Sequence, residues 1–311
     1  MTANAIQSEG LGKRYGENLA LAGLDLTVGV GQVLGLIGHN GAGKTTLIRM
    51  LSTLLEPDVG WARVAGHDVR AEAGRVRESI ALAGQYAAVD EMLTGRQNLW
   101  MIARLRHTSA ERSRHVANEL LERFRLEDAA DRTVDTYSGG MRRRLDLAAC
   151  LVTLPKVLFL DEPTTGLDPA SRLDLWASVR RLVDEGVSVL LTTQYLEEAD
   201  VLTDSIVVLN AGEKVAEGTA SELKERFGRE RIVIELERRE DYERILAMVR
   251  TWTATAADGD PGRLEITVDA PAPLRALADV TRTIARASIG VRQLSLRHAS
   301  LDEVFLHLTD R

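Results

Sequence analysis

Cysteine is nearly absent from this chain of 311 residues, and its single thiol, Cys150, rules out an intramolecular disulfide and any zinc site built from cysteine pairs. Cys150 lies in the apolar run Leu147–Leu151 with nothing nearby to activate a thiolate, so it reads as a packed core thiol. Aromatic residues make up 4% of the chain, which leaves the core to aliphatic side chains. No uncharged apolar run approaches the ~18–20 residues that a membrane-spanning helix requires. Any action on a membrane therefore passes through a partner. The first ten residues, MTANAIQSEG, carry neither the basic stretch nor the apolar run of a signal peptide, and the expected location is cytoplasmic. Positive charge is not in excess either. A formal net charge of −7 argues against a surface built for nucleic-acid phosphates. What is present, 45% hydrophobic and 27% charged residues, is ordinary for a globular protein, and the length suggests about two domains.

Residues 5–37 read as short strands, with Leu24–Val28 alternating and Val33–Ile37 almost wholly apolar, as in a buried parallel strand. A glycine-rich turn follows, and then a helix over Thr45–Leu55 that Pro57 stops. From about Asp90 to Asp135 the periodicity is helical, with Thr108 and Glu111 spaced as a capping box and Val116, Leu120 and Phe124 on one face, which reads as a helical insert. The strand theme returns at Val157–Leu160. Asp168-Pro169 opens a helix that closes at Gly186, and strands follow at Val187–Leu191 and Ser205–Leu209. Buried strands alternating with helices predict an α/β core around a mostly parallel sheet. Thr219 and Glu222 suit the cap of one more short helix ended by Gly228, which divides the chain into residues 1–228 and an accessory domain over 229–311. The latter reads as strand Ile232–Leu236, helix Tyr242–Arg250, strand Trp252–Thr255, a turn over residues 258–262, strand Leu264–Val268, helix Leu274–Ala285, strand Val291–Leu296 and helix Leu301–Leu308. Without its last helix the order is βαββαβ, a small α+β domain.

Gly38-His39-Asn40-Gly41-Ala42-Gly43-Lys44-Thr45 fits the phosphate-binding pattern G-x-x-x-x-G-K-[ST], between a predicted strand and a predicted helix as its mechanics demand. Glycines let backbone N–H groups curl around phosphate oxygens, the helix N-terminus adds partial positive charge, and Lys44 supplies a full one. The Thr45 hydroxyl is placed to ligate Mg²⁺, and Thr46 follows it on the same helix turn. The strand Val157–Leu160 runs into Asp161-Glu162-Pro163, putting two carboxylates at the carboxyl end of a buried strand, where open α/β sheets bind ligands. In a nucleotide site Asp161 holds Mg²⁺ and Glu162 polarises the attacking water. Two acids at the end of a strand are commonplace alone; paired with the phosphate loop they are not. A second phosphate grip, Tyr137-Ser138-Gly139-Gly140-Met141, opens another apolar-periodic helix. One site has no use for two such grips from one chain.

Phosphate loop, Ser138-Gly139-Gly140 and Asp161-Glu162, in this order, resemble the ATP-binding cassette (ABC) family, over about residues 5–228. The resemblance implies a P-loop ATPase core of ABC type with a helical insert over about residues 90–140. It also implies ATP and Mg²⁺ as cofactors, and a Ser138–Gly140 signature that reaches across a dimer to the partner's γ-phosphate. Tyr15 matches the family's aromatic position that stacks on adenine, an interaction worth ~1–3 kcal/mol, although a structural tyrosine would look the same. Gln85 matches the glutamine that contacts Mg²⁺ and senses the membrane partner. Gly166-Leu167-Asp168 matches a loop that meets the opposite subunit, while Asp168 equally suits a helix N-cap. One position departs from the pattern: Gln194 stands where the family has its switch histidine, and an amide can hydrogen-bond a phosphate or water but cannot titrate near neutrality. Gln194, Gly84-Gln85-Tyr86 and the closing Ser300–Phe305 segment resemble the daunorubicin-resistance type of drug and antibiotic exporter.

The resemblance implies a homodimer with two ATP sites, lying at the cytoplasmic face of the cell membrane through an integral membrane permease. That permease would make most of the contact with the small-molecule substrate. No nucleic-acid partner is expected. Cassette ATPases of DNA repair or translation are the rival, but those chains usually carry two cassettes, and the acidic balance counts against them. A GTPase-type switch is weaker still, since no Asn-Lys-x-Asp segment is present. His298 and His307 read as surface or packing residues.

Overall fold

The computed structural model describes residues 4–84, 89–252, 257–270, 272–287 and 289–309, which form two compact units, Met1–Ala220 and Ser221–Arg311. The division falls at the start of the helix that Gly228 ends, so that helix belongs with the second unit.

In the first unit, β1 (Asn4–Tyr15) and β2 (Asn18–Gly29) are joined by a tight turn at Gly16. Each is twelve residues long, not the short strand expected. Bulges around Ser8–Leu11, where Gly10 adopts φ 58°, break the alternation that would have revealed their length. After β3 (Val33–Ile37) and α1 (Lys44–Leu51) come β4 (Val59–Val64), β5 (His67–Asp68), α2 (Ala73–Ser79) and β6 (Ile80–Ala83). α1 stops short of the predicted Leu55 because Thr53 turns to φ 65°. The insert holds α3 (Gly95–Leu105), with a Thr94–Gln97 capping box, and α4 (Ala110–Arg123). The cap of α4 is Ser109, whose hydroxyl accepts from the Arg112 amide, one residue beyond the expected Thr108. Next come α5 (Gly139–Cys150), β7 (Val157–Asp161), α6 (Pro169–Asp184), β8 (Ser188–Thr193), α7 (Leu196–Leu202), β9 (Ser205–Asn210) and β10 (Glu213–Gly218).

Two sheets result. β2-β1-β4-β5 is antiparallel, whereas β10-β9-β3-β8-β7-β6 is parallel except for its edge strand β10. Every residue of β3, β7 and β8 is buried, as expected for central strands covered on both faces. Cys150 packs against the larger core, and burial pushes its thiol pKa up to about 12, so it remains protonated and inert.

The second unit opens with α8 (Ala220–Phe227) and continues through β11 (Arg231–Leu236), α9 (Tyr242–Trp252), β12 (Ala257–Asp260), β13 (Glu265–Asp269), α10 (Pro273–Ala287), β14 (Val291–Arg297) and α11 (Leu301–Thr309). Its sheet, β12-β13-β11-β14, is antiparallel and gives the βαββαβ order read from the sequence. The strand expected at Trp252–Thr255 is misplaced: Trp252 ends α9, residues 253–256 lie outside the described residues, and the strand is β12. The turn starts at Asp260, whose carboxylate accepts from the amides of Gly262 and Arg263, so Asp258-Gly259 stays in the strand. Among the described residues, no helix is long and apolar enough to cross a membrane.

Candidate functional site

Three segments distant in sequence meet at the carboxyl ends of neighbouring parallel strands. β8 lies between β3 and β7, with Ile37 opposite Thr193 on one side and Asp161 opposite Thr192 on the other. The loop after β3, the acidic pair after β7 and the Gln194 segment after β8 therefore open on one end of the sheet, where open α/β folds bind ligands.

The glycine loop is shaped by close approach. A Cβ on Gly38 would lie 2.6 Å from the Leu209 carbonyl and 2.8 Å from the Ala42 methyl. Gly43 holds φ 104° and a Cβ there would meet the Ala20 carbonyl at 2.5 Å, so only glycine can cap α1 in this way. His39, Asn40 and Gly41 are exposed while Ala42, Gly43 and Lys44 are buried; Thr45 and Thr46 are partly exposed on the first turn of α1. The Lys44 ammonium donates to the carbonyls of Gly38 at 2.6 Å and His39 at 3.2 Å and lies 3.8 Å from Glu162 Oε1. Burial lowers its pKa, opposed by the negative charges of Glu162 and Asp161.

Asp161 and Thr45 face each other, the Thr45 hydroxyl donating to Asp161 Oδ2 at 3.1 Å. The other carboxylate oxygen, Oδ1, accepts from Thr192 Oγ1 at 2.6 Å. The Thr192 hydroxyl in turn accepts the Glu162 amide at 3.0 Å, and the Thr192 carbonyl takes the same amide at 3.1 Å. Glu162 adopts φ 50°, a left-handed conformation that costs a non-glycine residue ~1–2 kcal/mol and turns the backbone sharply at the strand end. Asp161 and the Thr45 hydroxyl form an all-oxygen pair beside a phosphate-type loop, which suits Mg²⁺, a cation that takes one or two protein oxygens and completes its shell with phosphates and water.

The remaining residues divide. Tyr15 is half exposed at the end of β1, with the Lys13 ammonium 6.0 Å from its ring centroid. Gln194 follows β8 directly and is exposed. Ser138 caps α5, its hydroxyl accepting from the Met141 amide at 3.2 Å. Gly139 is exposed, whereas Gly140 is buried so closely against Ser171 that a Cβ would lie 2.3 Å from its hydroxyl. Asp168 is the N-cap of α6, bonded to the Ser171 amide and hydroxyl, and these bonds lower its pKa. Gln85 lies outside the described residues.

Two residues of this region were not picked out from the sequence. Thr192 is the hub between the two acids, and its signal was available: a fully buried apolar strand ending in two threonines. Arg143 of α5 reaches the carbonyl of Pro163, next to Glu162, but one arginine in a run of three carries no such mark.

The ABC transporter family matches residues 21–165, and the C-terminal domain family of DrrA1-3-like ATP-binding proteins matches residues 218–309. The daunorubicin resistance ATP-binding protein DrrA3 of Streptomyces coeruleorubidus is 53% identical over 99% of this chain and 97% of its own. The Nod factor export ATP-binding protein I of Rhizobium sp. (strain N33) is 38% identical over 100% and 99%. Among solved structures, an ATP-binding cassette of an ABC transporter in its ADP conformation superposes with a TM-score of 0.64 at 26% identity, covering 71% of this chain and 93% of that one. With the glycine loop, the acidic pair and the threonine hub joined at one sheet end, and relatives matching both units throughout, the chain is an ATPase of the ABC transporter family, a nucleotide-binding subunit of the daunorubicin-resistance type.

Proposed function

We propose that this chain forms a head-to-tail homodimer in which two MgATP molecules are sandwiched, and that the cycle of binding and hydrolysis drives export of a drug or antibiotic-like compound through a separate membrane permease. The observation that carries the reading is the single bonded network Lys44–Glu162–Thr192–Asp161–Thr45, which presents a cation, a base and a metal-binding oxygen pair toward one end of the sheet. The names of the relatives, resistance to daunorubicin and export of Nod factors, support export; in this reading the permease makes most of the contact with the cargo.

In this reading the loop amides and Lys44 hold the triphosphate, and Tyr15 stacks on adenine. Thr45, Asp161 and Gln85 hold Mg²⁺, which when bound neutralises charge on the β- and γ-phosphates. Glu162, turned out of the strand by its left-handed backbone, orients and deprotonates the attacking water. Gln194 donates its amide to the γ-phosphate or the water. Ser138, Gly139 and Gly140 of the partner subunit close over the same phosphate with the N-terminus of α5. Loss of the γ-phosphate removes the contact shared by both chains and loosens the dimer. Residues 229–311 serve as an accessory domain that stabilises or regulates the assembly. The acidic net charge speaks against nucleic acid as partner.

Glu162→Gln tests the core of this reading. The amide keeps the shape but not the basicity, so ATP binding should persist, turnover should fall to a small residue, and size-exclusion chromatography should show an ATP-dependent dimer. Near-normal turnover removes Glu162 from the mechanism. Purification from the native membrane separates the rivals: a retained membrane protein supports export, retained nucleic acid the repair or translation class.

A further inference from the structure

Arg143 lies on α5, five positions after Ser138, and its side chain is 13% exposed. Its Nε–H donates to the carbonyl of Pro163 at 2.7 Å, and Nη1 donates to the carbonyl of Gly84 at 2.8 Å and to Asp146 Oδ2 at 3.3 Å. Asp146 is 1% exposed and sits one turn further along the same helix, where it fixes the direction of the guanidinium. Burial lowers the Arg143 pKa, with the Asp146 carboxylate opposing it; the group starts so far above neutrality that it stays charged. Three segments thus meet on one planar fork: the helix that begins at the Ser138-Gly139-Gly140 signature, the residue after the base Glu162, and the residue before Gln85.

The consequence for Glu162 is specific. Its left-handed backbone persists only if both flanks are held. On the amino side its own amide is taken by Thr192; on the carboxyl side its own carbonyl accepts the Thr165 amide at 3.3 Å, and the carbonyl after it, that of Pro163, is taken by Arg143. We propose that Arg143 is a positioning residue that clamps the loop carrying Glu162 and ties it to the signature helix. This deepens, and rests on, the shared-site reading above. There the signature of one chain serves the partner's nucleotide, so the clamp makes the base of each site depend on whether its own chain's signature is engaged in the other. Hydrolysis at the two sites is thereby coupled through a covalently continuous helix and one guanidinium.

The test uses the full chain and compares wild type, Arg143→Met, Arg143→Lys and Glu162→Gln. Arg143→Met keeps length and apolar packing while deleting the donors. Loss of a charged hydrogen bond to the loop predicts a kcat about ten- to a hundredfold lower, since each tenfold corresponds to ~1.4 kcal/mol. ATP affinity, set by the glycine loop after β3 and by Lys44 at the start of α1, should stay within about threefold, as read by titration with a fluorescent ATP analogue. Arg143→Lys, which can reach one carbonyl but not both, should fall between, and cooperativity in ATP should weaken in both variants. A kcat within twofold of wild type in Arg143→Met overturns the clamp, and so does a parallel loss of kcat and affinity, which marks a packing role alone. Should Arg143→Met fail to fold, Arg143→Lys decides by the same readouts. If instead Glu162→Gln retains normal turnover, the hydrolytic reading itself fails, an outcome distinct from a silent Arg143 beside an inactive Glu162→Gln.

Discussion

Thr192 offers the sharpest test of the site because removing one atom type breaks two links at once. Thr192→Val keeps the branched shape of a fully buried side chain but deletes the hydroxyl that donates to Asp161 Oδ1 at 2.6 Å and accepts the Glu162 amide at 3.0 Å. The amide is not orphaned, since the Thr192 carbonyl takes it at 3.1 Å, so the cost is dominated by the bond to the carboxylate. A hydrogen bond to a charged group contributes ~1.5–3 kcal/mol. For a unit of about this size each kcal/mol moves Tm by ~2–4 °C, giving a drop of ~3–12 °C. Turnover should fall further than stability, because the Asp161 carboxylate loses its orientation toward Thr45 and the Glu162 amide loses one of its two acceptors. Thr192→Ser keeps the hydroxyl and deletes a methyl, costing ~1 kcal/mol, and should retain most activity. Differential scanning calorimetry and steady-state ATPase rates on the three proteins suffice. If valine and serine variants are indistinguishable in both, the hub is packing and the argument from Thr192 to the two acids is wrong.

Three further outcomes follow from the same geometry. Lys44→Ala and Ser138→Arg should each be inactive, yet isolated heterodimers should regain some turnover, because one of their two composite sites receives the intact half of each chain. The Arg143 clamp keeps that turnover below half of wild type, since the base of the intact site belongs to the chain with the altered signature; heterodimers without activity mean either that the sites are coupled too tightly for one to work alone or that they are not shared. Gln194→Ala should lose about ten- to a hundredfold in rate if the amide serves the γ-phosphate or the water, while Gln194→His stays active and gains a pH dependence near the imidazole range that wild type lacks; an alanine variant matching wild type leaves Gln194 with a structural role. Glu198 is fully buried and accepts the Trp176 indole N–H at 3.1 Å, and burial raises its pKa above the ordinary 4.5 although that hydrogen bond favours the ionised form. The folded state therefore binds this proton more tightly than the unfolded one, so this contribution to stability is full below about pH 4.5 and is lost as pH rises through the raised value. Glu198→Gln should flatten that decline, by at most about 1.4 kcal/mol per pH unit in the affected window; identical stability–pH curves refute it.

Much of the nucleotide-binding core is legible in the sequence because its signals are local. Gly38–Thr45 announces a turn, a positive helix end and a lysine within eight residues, and Val157–Glu162 announces a buried strand that ends in acids. What the sequence hides is interruption and convergence. β1 and β2 are long strands whose bulges erase the alternation, and β12 was displaced because Asp258-Gly259 mimics a turn that the Asp260 side chain forms two residues later. The bonds of Arg143 to Gly84 and Pro163 join positions 59 and 20 residues away, a relation that no periodicity encodes.

Convergence itself has a simple physical origin. β3 is apolar throughout, β7 up to Asp161 and β8 between its polar ends, so burial of their apolar stretches alone is nearly indifferent to sliding one strand along another. Register must be set by the polar residues at the strand ends. In the observed pairing Asp161 is opposite Thr192, and the 2.6 Å bond between their side chains closes. A slip of one residue sends adjacent side chains to opposite faces of the sheet and separates that pair. It would leave Oδ1 of a buried carboxylate without its donor, a loss of ~1–3 kcal/mol. The same bond that fixes the alignment of β7 and β8 therefore aims Asp161 at Thr45 and sets the backbone from which Glu162 turns. Chemistry and register are specified by one interaction, and a variant that weakens it should lose activity before it loses the fold.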